Sequence, residues 1–81
     1  LEGANLASAT LDSARLTRAN LTNAILEGAF AANTKFDGAV IDGADFTDVL
    51  MRHDVQDKLC QVAKGVNPTT GRATRDTLFC P

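Results

Sequence analysis

The chain has 81 residues and a mass of 8.5 kDa, the size of one small domain or a piece of a larger protein. It carries four Phe, no Trp and no Tyr, and thirteen of its apolar residues are alanines, so large side chains for a conventional core are scarce. A net charge of -2 and a pI near 5.1 argue against nucleic acid as a simple electrostatic partner, and no apolar run approaches the roughly 18 residues of a membrane span.

Written from residue 1, the first fifty residues fall into units of five without an insertion. The first position of each unit reads Leu1, Leu6, Leu11, Leu16, Leu21, Leu26, Ala31, Phe36, Ile41 and Phe46. The fourth reads Ala4, Ala9, Ala14, Ala19, Ala24, Ala29, Thr34, Ala39, Ala44 and Val49. A period of five fits neither regular element. On a helix the large residues would spiral around every side, and on a strand an odd period sends successive ones to opposite faces. The pattern makes sense if the chain turns a corner in every unit and points the same column inward, which is a solenoid of short flat sides. The third position carries Gly3, Gly28, Gly38 and Gly43, with Asn23 and Asn33 in the same column, residue types that tolerate the left-handed backbone a corner requires.

The grammar A-(N/D)-L-x-x, as in Ala4-Asn5-Leu6, Ala19-Asn20-Leu21 and Ala44-Asp45-Phe46, resembles the pentapeptide repeat family over residues 1 to about 53. The resemblance implies an all-β solenoid, a right-handed quadrilateral β-helix with four pentapeptides per coil. It directs the first-position residue and the small residue two before it inward, and stacks residues twenty apart. Leu1, Leu21 and Ile41 then line one inner side and Leu6, Leu26 and Phe46 the next. Leu11, Ala31 and Met51 form the third, and Leu16 with Phe36 the fourth. Ala31 puts a methyl where its neighbours are larger, which predicts a local gap unless Phe36 or Thr34 fills it. Residues 1–53 make about two and a half coils with no cap before Leu1, which predicts the C-terminal part of a longer solenoid.

Residues 54–81 break the grammar, and the charge changes with it. Residues 51–81 carry a net +2 against -4 for residues 1–50. Asp54 is the expected N-cap of a helix whose apolar positions are Val55, Leu59, Val62 and Ala63, closed by Lys64 and Gly65. Asn67-Pro68-Thr69-Thr70-Gly71 reads as a turn, and Thr74 as the cap of a short helix through Leu78 and Phe79. These two helices are expected to cover the open end of the coil. Cys60 and Cys80 are the only cysteines. A disulfide between them would close a loop of about twenty residues and contribute roughly 3 kcal/mol; the alternative is a pair of reduced thiols in a cytosolic protein.

The tail from Leu59-Cys60 through Gly65-Val66-Asn67-Pro68-Thr69-Thr70-Gly71 to Thr74-Arg75-Asp76-Thr77-Leu78-Phe79-Cys80 is similar to that of pentapeptide proteins of the thylakoid lumen, from chloroplasts and cyanobacteria. This second resemblance implies a disulfide between two capping helices and a lumenal address, or a periplasmic one as the alternative.

Nothing in the chain spells catalysis. His53, the only histidine, falls in an outward column at the last rung. Ser8 and Ser13 are corner positions, and no phosphate loop or nucleophile motif occurs. Two cysteines and one histidine make a poor metal site, so neither metal nor cofactor is expected. The sequon Asn20-Leu21-Thr22 is a by-product of the repeat. Mimicry of DNA toward a topoisomerase, known in some members of the resembled family, needs a strongly acidic surface, whereas Arg15, Arg18 and Lys35 make one side basic. The outward fifth column is mostly polar, but Ile25, Phe30, Val40 and Leu50 interrupt it. Ile25, Phe30 and Leu50 form a candidate interaction patch, unless the C-terminal helices cover it. The expected function is a non-enzymatic structural or interaction module with a protein partner, such as a lumenal photosynthetic complex. A redox-responsive regulator acting through Cys60 and Cys80 is the alternative.

Overall fold

The computed structural model describes residues 1–80. Its first fifty residues wind into a square coil. Residues twenty apart pair as isolated parallel bridges, Asn5 with Ile25 and Ile25 with Asp45, Thr10 with Phe30 and Phe30 with Leu50, Arg15 with Lys35, and Asn20 with Val40. Each flat side is thus a single bridge per rung, not an extended strand. The ladder bonds run both ways between rungs: the Leu6 N–H donates to the Ile25 carbonyl at 2.6 Å, and the Ile25 N–H to the Ala4 carbonyl at 2.9 Å.

The corners follow from the third position. A fourth-position N–H closes each turn onto the first-position carbonyl, as from Ala4 to Leu1 at 2.9 Å and from Ala44 to Ile41 at 2.9 Å. Third-position residues have φ between 55° and 74°, in Ser8, Ser13, Arg18, Asn23 and Asp48 as well as the glycines. Positive φ at that place is the mark of a type II turn. Asn33 is the exception and is absent from the left-handed region. Its N–H donates to the Asp12 carboxylate at 2.9 Å, and the hydroxyl of Thr34 beside it donates to the Leu11 carbonyl at 2.6 Å. That corner is held by side chains instead of a left-handed residue.

The core is the inside of this tube. Leu21, Leu26, Ile41 and Phe46 are buried, with Ala24, Ala29, Ala39 and Ala44 beside them. Fourth-position groups of alanine size leave room for large neighbours, so the rings of Phe36 and Phe46 meet across the interior edge to face, 6.1 Å between centroids. Ala31 is 1% exposed, enclosed by a rung that includes buried Thr34 and Phe36. Burial fades toward the first rung, where Leu6, Leu11 and Leu16 are half-buried and Leu1 is 57% exposed.

The last rung is covered by helix α1, His53–Val62, and helix α2, Thr74–Thr77. Leu59, Ala63 and Leu78 join the core from this side. The boundaries differ from the sequence expectation. The N-cap of α1 is Arg52, with no capping side chain, so Asp54 lies in the first turn and His53 opens the helix rather than closing the last rung. α2 starts after Ala73 and ends at Thr77, leaving Phe79 outside the helix at φ 55°. Between the helices, Val66 and Ala73 form an antiparallel bridge around the Asn67–Gly71 turn.

The cap supplies partners that a further rung would have supplied. The Gly43 N–H donates to the Lys64 carbonyl at 2.9 Å, and the Phe46 N–H to the Thr77 hydroxyl at 3.0 Å. The Asn67 side-chain N–H2 faces the carbonyls of Asn23, Ala24 and Gly43 at 3.0–3.2 Å. Its Oδ1 accepts from the Thr69 and Thr70 N–H groups, both at 2.9 Å. Gly65, at φ 84°, lets the chain approach closely, since a Cβ there would sit 3.0 Å from the Gly43 nitrogen.

Candidate functional site

The fifth position has a local task. Asn5, Asn20 and Asp45 each accept a hydrogen bond from the N–H two residues on, at 2.9–3.0 Å, which braces the next corner. In the Asn20 sequon the Thr22 hydroxyl also donates to the Asn20 side-chain Oδ1, at 2.6 Å. Ile25, Phe30, Val40 and Leu50 cannot make this bond. They forgo a turn-supporting contact, and the tube does not enclose them in return.

Phe30 and Leu50 form one parallel bridge on neighbouring rungs. Both side chains are open, at 44% and 55% exposure. Their main chains are fixed by ladder bonds, the Phe30 N–H to Ala9 at 2.8 Å and the Leu50 N–H to Ala29 at 3.1 Å. Adjacent rungs lie about 4.8 Å apart, so the two side chains stack on a rigid support. Ile25 does not join that stack. It is half-buried and pairs with Asn5 above and Asp45 below, one corner away. Val40, 45% exposed, pairs with Asn20 on another side.

One exposed aromatic is added by the structure. Phe79 is the most open large apolar residue, at 75%, and lines a shallow depression with Val49 and Met51, the chain neighbours of Leu50. The sequence pattern concealed it, because helical spacing placed Phe79 on α2, and a non-glycine residue at positive φ leaves no signal in the chain.

The cap below this surface is cross-braced. Cys60 on α1 and Cys80 after α2 form a disulfide, with Cα atoms 5.6 Å apart. The Arg75 guanidinium donates to the Cys60 carbonyl at 2.9 Å, and the Gln56 side-chain amide donates to the Leu78 carbonyl. Arg72 lies between Glu27 and Asp45, 3.3 Å from each carboxylate. Asp45 is itself buried. Burial pushes its carboxyl upward, but the hydroxyls of Thr47 and Thr70, the Thr47 N–H and the Arg72 charge outweigh it, holding Asp45 below the ordinary aspartate value.

His53 is exposed, and its Nε2 lies 3.6 Å from the Asp57 carboxylate, one helical turn on. Among the described residues no group of three or more His, Cys, Asp or Glu is placed to hold a metal ion, and no helix is long and apolar enough to cross a membrane. Ser8 and Ser13 occupy left-handed corners of the coil.

Residues 1–23 and 14–52 match the Pentapeptide repeats family, in eight copies. The thylakoid lumenal 15 kDa protein 1 of Arabidopsis thaliana chloroplasts is 65% identical over 48 residues, 59% of this chain and 21% of that protein. Thylakoid lumenal protein TL20.3 of the same organism is 46% identical over 43 residues, 53% of this chain and 15% of that one. A crystal structure of a pentapeptide repeat protein from the Arabidopsis thaliana thylakoid lumen superposes with a TM-score of 0.89 at 55% identity, over 99% of this chain and 59% of that one. The matched part is therefore well under two thirds of the length of each of these relatives.

Proposed function

The chain belongs to the pentapeptide repeat family, and from that premise we propose that it acts as a non-enzymatic interaction module that docks a protein partner through the Phe30–Leu50 stack. Its compartment is the thylakoid lumen, the compartment of the relatives it matches. The coil is taken as right-handed, as the family resemblance implies, with residues 1–53 as the repeat domain and residues 54–81 as its cap. The observation that carries the docking reading is the pairing of two large apolar side chains on adjacent rungs, both open, in an outward column whose other members are mostly polar. Stacked aromatic and aliphatic groups on a rigid frame lose little conformational freedom on binding, which is what an interface anchor requires. Ile25, half-buried on the neighbouring side, would lie at the edge of the contact.

The partner class this reading favours is a lumenal photosynthetic assembly. Replacing Phe30 and Leu50 together with Ser in the full-length protein is expected to abolish co-migration with that assembly on native gels and leave the melting curve in place. Undiminished co-migration of the double variant would sink the reading.

A second reading, a redox-responsive regulator, rests on one observation. The Cys60–Cys80 bond joins α1 to the segment that buries Leu78 and presents Phe79. A dithiol reductant would pass two electrons to the bond, giving two thiols and its own disulfide, and the segment after α2 would then be held by the burial of Leu78 and by hydrogen bonds. Co-migration compared with and without such a reductant separates the two readings, since docking through Phe30 and Leu50 by itself is indifferent to the state of the bond.

A further inference from the structure

A cleft of about 420 Å³ runs between α1 and the side of the coil that carries residues 34–39. Its origin is visible in the packing. α1 drives Leu59 and Ala63 into the core and leaves Val55 and Val62 flanking them, with Val62 still 54% exposed. Facing them, the coil offers Gly38, with no side chain, and Ala39, with one methyl, so nothing fills the space between the walls. The edge of buried Phe36 completes an apolar floor. A volume in the range of roughly 300–1,000 Å³ with apolar walls and a few charged groups suits a small molecule.

The charges around the cleft are uneven. Lys35 lines the coil wall and Lys58 the helix wall, and among the described residues neither takes part in an ion pair. The Arg18 stem passes beside Gly38, where a Cβ would meet its Cγ at 3.4 Å. Of the two acids lining the cleft, Asp54 is already engaged by Arg52 at 3.2 Å, leaving Asp37. Beyond Ala39 and Val62 the space continues as a second depression, where Lys64 is spent on Asp42 at 3.8 Å. Lys35 and Lys58 are thus the lining cations left without a carboxylate partner among the described residues.

We propose that this cleft binds a small amphipathic anion, its aromatic or short acyl body lying on Phe36, Ala39, Val55 and Val62 and its carboxylate or sulfonate held between Lys35 and Lys58. The site is separate from the Phe30–Leu50 stack and stands whether or not that surface docks a partner.

The test uses 4-phenylbutyrate as the probe and 4-phenylbutanol as its uncharged counterpart, followed by amide chemical-shift changes in the intact oxidised protein. Phenylbutyrate is expected to shift the amides of residues 34–39 and 54–62. The double variant Lys35→Gln/Lys58→Gln, altered only at exposed positions, should weaken phenylbutyrate about three- to tenfold while leaving phenylbutanol unchanged. Val62→Ser should weaken both probes. Shifts centred on Phe30, Leu50 or Phe79, no saturable shifts, or equal weakening of the two probes by the lysine variant would each overturn the proposal. Tighter binding of a short acidic peptide than of phenylbutyrate at the same amides would overturn it in favour of a peptide site.

Discussion

The side-chain amide of Asn67 donates to the main-chain carbonyl of Gly43 at 3.0 Å, across 24 residues of chain, and Asn67 is wholly shielded from solvent. The same N–H2 group serves Ala24 at 3.2 Å, so one side chain in the cap satisfies two successive rungs of the coil. Asn67→Asp keeps the shape and the oxygen that accepts from Thr69 and Thr70, but it replaces the donor with a second acceptor facing buried carbonyls. Leaving such groups unpaired costs about 1–3 kcal/mol each. The variant is expected to lose roughly 3 kcal/mol or more in urea unfolding. A loss under about 1 kcal/mol would mean that the cap is fastened elsewhere.

Asp45 makes the cap acid-sensitive. Its carboxyl is held below the ordinary value of 3.8, and the unfolded chain would titrate near that ordinary value. The unfolded state therefore takes up a proton first as pH falls. The stabilisation is present in full above the unfolded value and disappears as pH drops through the lower folded one. The melting temperature of Asp45→Asn should lie below that of the natural chain at pH 7, and the gap should close as pH falls below the ordinary aspartate value. A gap that stays constant through that fall would assign the role of Asp45 to its shape and not to its charge.

Removing the disulfide tests how much of the cap stands without it. Cys60 and Cys80 are twenty apart in sequence, and a loop of that length is worth about 3 kcal/mol in the chain-entropy account. For a chain of this size, reduction should lower the melting temperature by roughly 10 °C or more. Because Gln56, Arg75 and Thr77 also tie the helices down, the coil should stay folded while the cap loosens. Hydrogen exchange should then quicken at α2 and the segment to Cys80 before it quickens at Leu21 or Leu26. Uniform quickening across the chain would show coil and cap to unfold as one unit.

The coil was legible because its rule is short and repeated. A large residue and an alanine at fixed positions in every unit leave one way to hide both, and the parallel bridges from Asn5 to Leu50 follow from that spacing. The cap was legible as helices and a turn, but its ends were not. Asp54 and Thr74 are good capping residues, yet the caps are Arg52 and Ala73. The coil dictates where the chain arrives, and Thr77 is used to satisfy Phe46. The Phe30–Leu50 pairing could be read from outward columns alone, because a bridge every twenty residues brings the two together. Phe79 and the α1 cleft could not, since both depend on how the cap settles on the last rung.

Ala31 puts a methyl in a column whose other members are larger, the place where the sequence predicts a gap. It is 1% exposed, in a rung whose fourth position is the larger Thr34 in place of alanine. We expect the larger Thr34, pinned by its bond to the Leu11 carbonyl, to take up the volume missing at Ala31. Ala31→Leu should therefore overpack the tube and destabilise it by about 1–3 kcal/mol. Pairing it with Thr34→Ala should recover part of that loss. A single Ala31→Leu that raises stability would restore the gap.

The corners offer a sign test. Ser8 has φ 61° and Arg18 also 61°, where an L side chain is strained by roughly 1–2 kcal/mol and glycine is not. Asn33 stands in the same column of the repeat but outside the left-handed region, its N–H bonded to Asp12. Glycine therefore removes strain at Ser8 and only adds unfolded-state freedom at Asn33, which costs about 0.5–1 kcal/mol. Ser8→Gly is expected to raise stability by up to about 1 kcal/mol, and Asn33→Gly to lower it by a similar amount. Ser8 is exposed, so removing its hydroxyl opens no buried space. Urea midpoints of the two variants, measured with the disulfide intact, should move in opposite directions. Movement in the same direction would mean that the Asn33 corner shares the strained geometry of the others.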